Sequence, residues 1–258
     1  MENLALITGA SGGIGEQLAR IHAGKGGDMV LVARSEDRLA ELAAELIDAH
    51  EVNVRVVARD LAVPGAAEGL ADELQAEGLV PDLLINNAGF GGQGRFHERD
   101  WARDRDMINL NVTALAALTH GFLPAMVERG SGRILNVGSV AGFLPGPNFA
   151  TYFATKAFVL SFSEAIAAEL TGTGVTVTVL CPGPVATGFV DAAGMTNRQM
   201  FDAVASSPEE VARYGYRAML RGDVVAVPGV ATQISLFQLR FLPRGLTRAI
   251  SRLTMGNL

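Results

Sequence analysis

One cysteine in 258 residues excludes an internal disulfide, and four scattered histidines give Cys181 no partners at metal-ligand spacing. Charge is scarce as well. Only 19% of residues are charged and the formal net charge is −6, which excludes the basic surface that phosphate backbones require of a nucleic-acid binder. Long apolar runs are missing too: no stretch reaches the roughly 18 uninterrupted apolar residues of a membrane-spanning helix. The first run, Leu4–Ile7, stops at Thr8-Gly9, too short for a signal peptide. The chain therefore reads as soluble, unprocessed and cytoplasmic, and its apolar content of 49% supplies a substantial core.

What is present is a regular alternation. Short apolar runs predict strands at Leu4–Thr8, Met29–Ala33, Val52–Ala58, Leu83–Asn86, Arg133–Val137, Val175–Leu180 and Val224–Val227. Several lack strict in–out alternation, as expected of parallel strands covered on both faces. Helical spacing predicts helices over Ile14–Ala23, Asp37–Ala49, Ala66–Ala76, Trp101–Glu128, Thr151–Leu170 and Pro208–Leu220. Such alternation implies an α/β architecture, a doubly wound, Rossmann-type parallel sheet with helices on both faces. No composition break, repeat or low-complexity segment divides the chain, so residues 1–258 are expected to form one domain. Within it lie a variable segment at 186–207 and a tail at 229–258.

Directly after the first strand comes Thr8-Gly9-Ala10-Ser11-Gly12-Gly13-Ile14-Gly15, opening into a helix. Glycines there permit a tight turn and a close backbone approach, while the helix N-terminus offers unpaired N–H groups to a pyrophosphate. Gly9, Ser11, Gly13, Ile14 and Gly15 are the candidate phosphate contacts. The second strand ends Val32-Ala33-Arg34, with no carboxylate for a bare ribose diol and an arginine suited to a 2′-phosphate. This favours NADP(H) over NAD(H), against the plainer reading of Arg34 as a solvated strand end.

Tyr152 and Lys156 stand four apart in one helical pattern and so share a face. A phenol with a pKa of about 10 is a poor acid or base at neutral pH, and a neighbouring ammonium is expected to lower it. Ser139 and Asn86-Asn87-Ala88-Gly89 each follow a predicted strand, where open α/β sheets bind ligands.

Together the glycine turn, Asn86-Asn87-Ala88-Gly89, Asn111, Ser139, Tyr152-x-x-x-Lys156 and Pro182-Gly183-Pro184-Val185-Ala186-Thr187 resemble the short-chain dehydrogenase/reductase family over nearly the whole chain. Within it the wording resembles an NADP-preferring, mostly bacterial subgroup with unassigned substrates. The resemblance implies Tyr152 as general acid or base, and Lys156 lowering its pKa and holding the nicotinamide ribose. It implies Ser139 on the carbonyl oxygen and Asn111 anchoring a water of a proton relay. Asp60 and Leu61 would meet the adenine, Asn87 with Ala88 and Gly89 the adenosine half, and Pro182, Gly183, Val185 and Thr187 the carboxamide end. It further implies a homodimer or homotetramer built through the helices at Trp101–Glu128 and Thr151–Leu170.

Apolar segments at Phe90–Phe96 and Phe143–Phe149, with Phe189, Met195, Met200 and Phe201, are the expected walls of the substrate pocket. They suit a hydrophobic ketone, aldehyde or secondary alcohol as the small-molecule partner. In the tail, Arg240, Arg244, Arg248 and Arg252 recur among leucines, and Pro243 and Gly245 are expected to interrupt a helix. Packing of this tail on its own domain or a sister subunit is favoured over contact with a membrane surface. The main reading is an NADP(H)-dependent oxidoreductase. Its rival from another class is a non-catalytic NADP(H)-binding sensor or scaffold, which would not require Ser139, Tyr152 and Lys156 together. An epimerase or dehydratase of the extended relatives would need an additional substrate domain.

Overall fold

In the computed structural model of the chain, residues 1, 3–186 and 205–255 are described. Strands β1 (Ala5–Thr8), β2 (Met29–Ala33), β3 (Val54–Ala58), β4 (Leu83–Asn86), β5 (Gly132–Val137), β6 (Val175–Leu180) and β7 (Val225–Ala226) form one sheet. Its order is β3-β2-β1-β4-β5-β6-β7, and every neighbouring pair is parallel. The order reverses between β1 and β4, where the crossovers change sides and open a crevice beyond the strand ends.

The pleat divides the core. Ile7 and Leu31 face α1 (Gly13–Ala23), α2 (Glu36–His50) and the helix at Pro208–Arg221, packing with Leu18, Leu39, Leu46 and Tyr216. Leu6 and Val30 point the other way, onto Leu70 and Leu74 of α3 (Ala66–Ala76) and Phe122 and Met126. Sandwiched strands need no polar face, which is why they read as unbroken apolar runs.

The helix predicted over Trp101–Glu128 is a composite: α4 (Trp101–Ile108), a π segment at Asn109–Ala114, and α5 (Leu115–Arg129). It is long and apolar enough to cross a membrane, yet Leu118, Phe122 and Met126 are fully committed to the core. Next come α6 (Ala150–Glu169) and α7 (Pro208–Arg221), the latter capped by Ser207, which accepts from the Glu210 backbone.

Two helices complete the described tail, α8 (Val230–Leu239) and α9 (Arg244–Met255). Pro243 separates them as expected, but Gly245 does not break α9, because it falls in the first turn where few intrahelical bonds exist to lose. The tail packs on the domain unevenly: Ser251 of α9 is buried, whereas no residue of α8 is.

Candidate active site

A cavity of about 920 Å³ runs along the carboxyl ends of the strands. Gly9, Ser11, Gly13, Ile14, Arg34, Asp60, Leu61, Asn87, Ala88, Gly89, Ser139, Tyr152, Lys156, Pro182, Gly183 and Val185 all line it. Two candidates do not: Gly15 and Asn111 are buried behind the wall, and Thr187 lies outside the described residues. Phe189, Met195, Met200 and Phe201 lie outside them as well.

Close packing builds the glycine end. A Cβ on Gly15 would run into the Gly9 carbonyl and the Asn87 amide, and one on Gly9 would stand 2.7 Å from Asn87 Nδ2 at a φ of +67°. Asn87 Nδ2 donates to the carbonyls of Thr8 (2.9 Å) and Gly9 (3.1 Å), so its amide holds the turn from behind. The Thr8 hydroxyl accepts from the backbone of Asn87 and Ala88, each at 3.0 Å, fastening β1 to the end of β4. A Cβ on Gly12, by contrast, would meet nothing within 4 Å. It would project into the cavity where α1 presents its first N–H groups, the cradle a pyrophosphate requires.

Beyond that turn, Arg34 is joined in the cavity wall by Ser35, Arg38 and Arg59, none of which the sequence reading assigned to the ligand. Arg59 is committed to Glu73 at 2.6 Å, whereas Arg38 stands exposed one helical turn after Arg34. Asp60 Oδ1 accepts from the Ala62 backbone at 2.9 Å, so it caps a turn while lining the cavity.

At the other end Tyr152, hydrogen-bonded to Ser139, is half-buried in the cavity wall. Ser139 Oγ also accepts from the Ala141 backbone at 3.1 Å, fixing its rotamer at the end of β5. Lys156 Nζ lies 5.9 Å from the centre of the Tyr152 ring and donates to the Val137 carbonyl at 2.8 Å. Asn111, in the π segment, accepts from the Phe90 N–H (3.1 Å) and donates to the Phe90 carbonyl (2.9 Å) and Thr155 Oγ1 (3.1 Å). The extra residue of the π turn lets one side chain tie the strand-β4 loop to α6. Asp104 supports the same region. Only 1% exposed, it pairs with Arg99 at 2.5 Å and accepts from Thr151 at 2.9 Å, immediately before Tyr152.

The electrostatics depart from expectation. Burial pushes the Tyr152 phenol up to about 12, with the Ser139 hydrogen bond pulling it down. Burial lowers the Lys156 ammonium to about 8. At both groups burial, which disfavours the charged form, is the largest cause.

The pocket walls are partly those expected: Phe90, Leu144 and Phe149 line the cavity, but Phe96 is 59% exposed and faces away. Val140, Ala141, Phe153 and, from the far end of the chain, Met255 complete the lining. Asn148 donates to the Met255 carbonyl at 3.1 Å, which holds the end of α9 against the pocket.

Comparison with known proteins agrees with this arrangement. A family model described as short chain dehydrogenase matches residues 3–198. The chain belongs to the short chain dehydrogenase family. It is 39% identical over 191 residues to sulfoacetaldehyde reductase 2 of Chromohalobacter salexigens, covering 73% of this chain and 75% of that protein. To the NADP-dependent 3-hydroxy acid dehydrogenase YdfG of Escherichia coli it is 36% identical over 218 residues, covering 81% and 85%. Among solved structures, a short-chain dehydrogenase from Sphingobium yanoikuyae in complex with NADPH superposes with a TM-score of 0.84 at 34% identity, covering 92% and 93%. A bulky-bulky ketone specific alcohol dehydrogenase from Comamonas testosteroni gives a TM-score of 0.79 at 30% identity, covering 92% of each chain. As a short chain dehydrogenase, the protein is an oxidoreductase that transfers hydride between a nicotinamide and a carbonyl or alcohol.

Proposed function

We propose that the protein is an NADP(H)-dependent reductase of apolar ketones or aldehydes, with Tyr152 as the proton donor. The observation that carries this reading is the meeting of Tyr152, Ser139 and Lys156 on the wall of the same cavity as the glycine turn. Supporting the cofactor are Arg34 and Arg38 at the end of β2, beside the NADP dependence of the Escherichia coli relative and the NADPH in the Sphingobium structure.

The residues fit the dinucleotide. Gly12, Gly13 and Ile14 would receive the pyrophosphate on backbone N–H groups, Arg34 and Arg38 the 2′-phosphate, and Lys156 the nicotinamide ribose. When bound, the dinucleotide supplies the hydride and, in its oxidised form, a positive ring charge. In reduction Ser139 donates a hydrogen bond to the substrate oxygen, orienting it and stabilising the negative charge that develops there. Tyr152 gives its proton to that oxygen as the carbon accepts hydride, and in oxidation it takes the proton back. Asn111 holds the β4 loop and α6 at a fixed separation and acts as a positioning residue for Lys156.

Phe90, Leu144, Phe149, Phe153 and Met255 give the substrate end an apolar lining, which supports a hydrophobic carbonyl compound over a small acid. Trp101, Val127 and Phe158, exposed on the helices around α5 and α6, support a homo-oligomer built through those faces.

NADPH oxidation is measured with a panel of hydrophobic ketones and aldehydes. Tyr152→Phe is expected to lower kcat by roughly 10²–10⁴-fold. Its NADPH affinity should stay unchanged, since the phosphate contacts lie at the other end. No turnover of any carbonyl despite tight NADPH binding would leave the sensor reading in its place.

A further inference from the structure

The tail is built inside out. On α8, Val230 (71% exposed), Ile234 (53%), Phe237 (59%) and the following Phe241 (72%) recur at spacings of four, three and four, so they form one stripe. That stripe faces solvent, while α8 touches the body through Leu236, packed near Phe162 and Val227. The second helix repeats the pattern. Leu246 (49% exposed), Ile250 (39%) and Leu253 (74%) share the outer face of α9, and Ser251, 2% exposed, lies toward the body. A soluble helix places its apolar stripe on the core and its polar residues in water. Here both helices leave an apolar stripe in water alongside their polar residues.

Charge accompanies this surface. From Gly229 to Leu258 there is no Asp or Glu, and Arg240, Arg244, Arg248 and Arg252 are all exposed, although the whole chain carries −6. We propose that α8 and α9 dock on an anionic lipid surface, apolar stripes in the headgroup boundary and arginines on the phosphates. An exposed apolar stripe on a helix whose polar side carries arginines is the composition that lies in such an interface. A second copy is the poorer occupant. A two-fold contact through this face would bring eight arginines to one interface, with no carboxylate from either copy of the segment to offset them. Docking would also set the apolar end of the cavity close to the lipid. Met255 lines that end from the inner face of the helix whose outer face carries Leu253, and a helix is only about 10 Å across.

The full chain is sedimented with vesicles of phosphatidylcholine alone or mixed with phosphatidylglycerol. Binding is expected with the anionic vesicles, at least tenfold above that with phosphatidylcholine, and falling as salt is raised. Phe241→Ser with Leu253→Ser should lower it at least tenfold, with the unfolding temperature and NADPH affinity retained. Arg244→Gln with Arg248→Gln should remove the preference for anionic lipid. The proposal is overturned if the wild-type chain stays in the supernatant with anionic vesicles. It is equally overturned if the serine pair lowers the native mass in light scattering, which identifies a second copy as the occupant. None of these readouts depends on turnover, so they stand or fall apart from the catalytic assignment.

Discussion

The two ends of the cavity are made of different material. Around Gly9 and Gly15 the wall is backbone, and what matters there is the side chains that are missing: β-carbons would collide with the Gly9 carbonyl or the Asn87 amide. Around Tyr152 and Lys156 the wall is titratable side chains partly or wholly desolvated at an energetic cost, visible in a phenol pushed up to about 12 and an ammonium lowered to about 8. The glycine end is therefore part of what lets the chain fold, whereas the reacting end opposes folding and is retained for chemistry. Substitutions should behave in opposite ways at the two ends.

The largest expected effect is at Gly15. Alanine there forces apart the turn and the Asn87 amide, which are both fixed by backbone hydrogen bonds, and overpacking of this kind costs about 3 kcal/mol. Gly15→Ala is expected to lower the unfolding temperature and to abolish measurable NADPH binding. Gly12→Ala is the control, because its β-carbon has open space and an extended φ of 172°. It should keep the wild-type unfolding temperature while weakening NADPH. Calorimetry and cofactor titration on both variants check this, and a Gly15→Ala chain as stable as wild type breaks the contrast.

The same division explains what could be read from the sequence. Strand positions came within two residues, because runs such as Met29–Ala33 and Val175–Leu180 are apolar on both faces. The cavity residues were legible wherever a motif sat at a strand end. The π segment was not, since the apolar spacing of Leu115, Leu118 and Phe122 continues past Asn111 as if one helix ran through. Arg38 could have been found, standing one turn beyond Arg34, whereas Met255 reaches the pocket only through a chain reversal that local spacing does not encode. The outward face of the tail was not legible for a related reason: periodicity gives a stripe, but not the direction in which it points.

A smaller effect, of opposite sign, is expected at Lys156. Its side chain is buried, and its folded pKa of about 8 lies below the ordinary lysine value of 10.5. The unfolded chain thus binds more protons between those values, and the stability contributed by this group rises with pH there and is fully unfavourable below about 8. Lys156→Met should stabilise the cofactor-free protein at pH 7 by about 2 kcal/mol while removing activity. That advantage should shrink as pH is raised from about 8 towards 10.5. In the wild type, kcat/KM for reduction should decline as pH rises through about 8, where Lys156 loses its charge and Tyr152 keeps its proton. Unfolding scans and pH profiles test both halves. A destabilised methionine variant would mean that the bond to the Val137 carbonyl outweighs desolvation.

An effect on binding with none on stability sharpens the glycine end, where Arg34 is a side chain beside a wall of backbone. It is an exposed side chain at the β2 terminus, so removing it should leave the fold untouched. A charge-assisted hydrogen bond to phosphate contributes about 1.5–3 kcal/mol, and a tenfold change in affinity is about 1.4 kcal/mol. Arg34→Ala should therefore weaken NADPH by roughly ten- to a hundredfold and NADH by little. Arg38→Ala should act in the same direction but less, because Arg38 approaches from the first turn of α2 rather than from the strand end itself. Arg59 should contribute least, since Glu73 already holds its guanidinium. Titration of both dinucleotides against the three single variants orders these contributions. Equal losses for NADPH and NADH at Arg34 would remove the 2′-phosphate from that corner, and the choice of cofactor would have to be made elsewhere in the cavity.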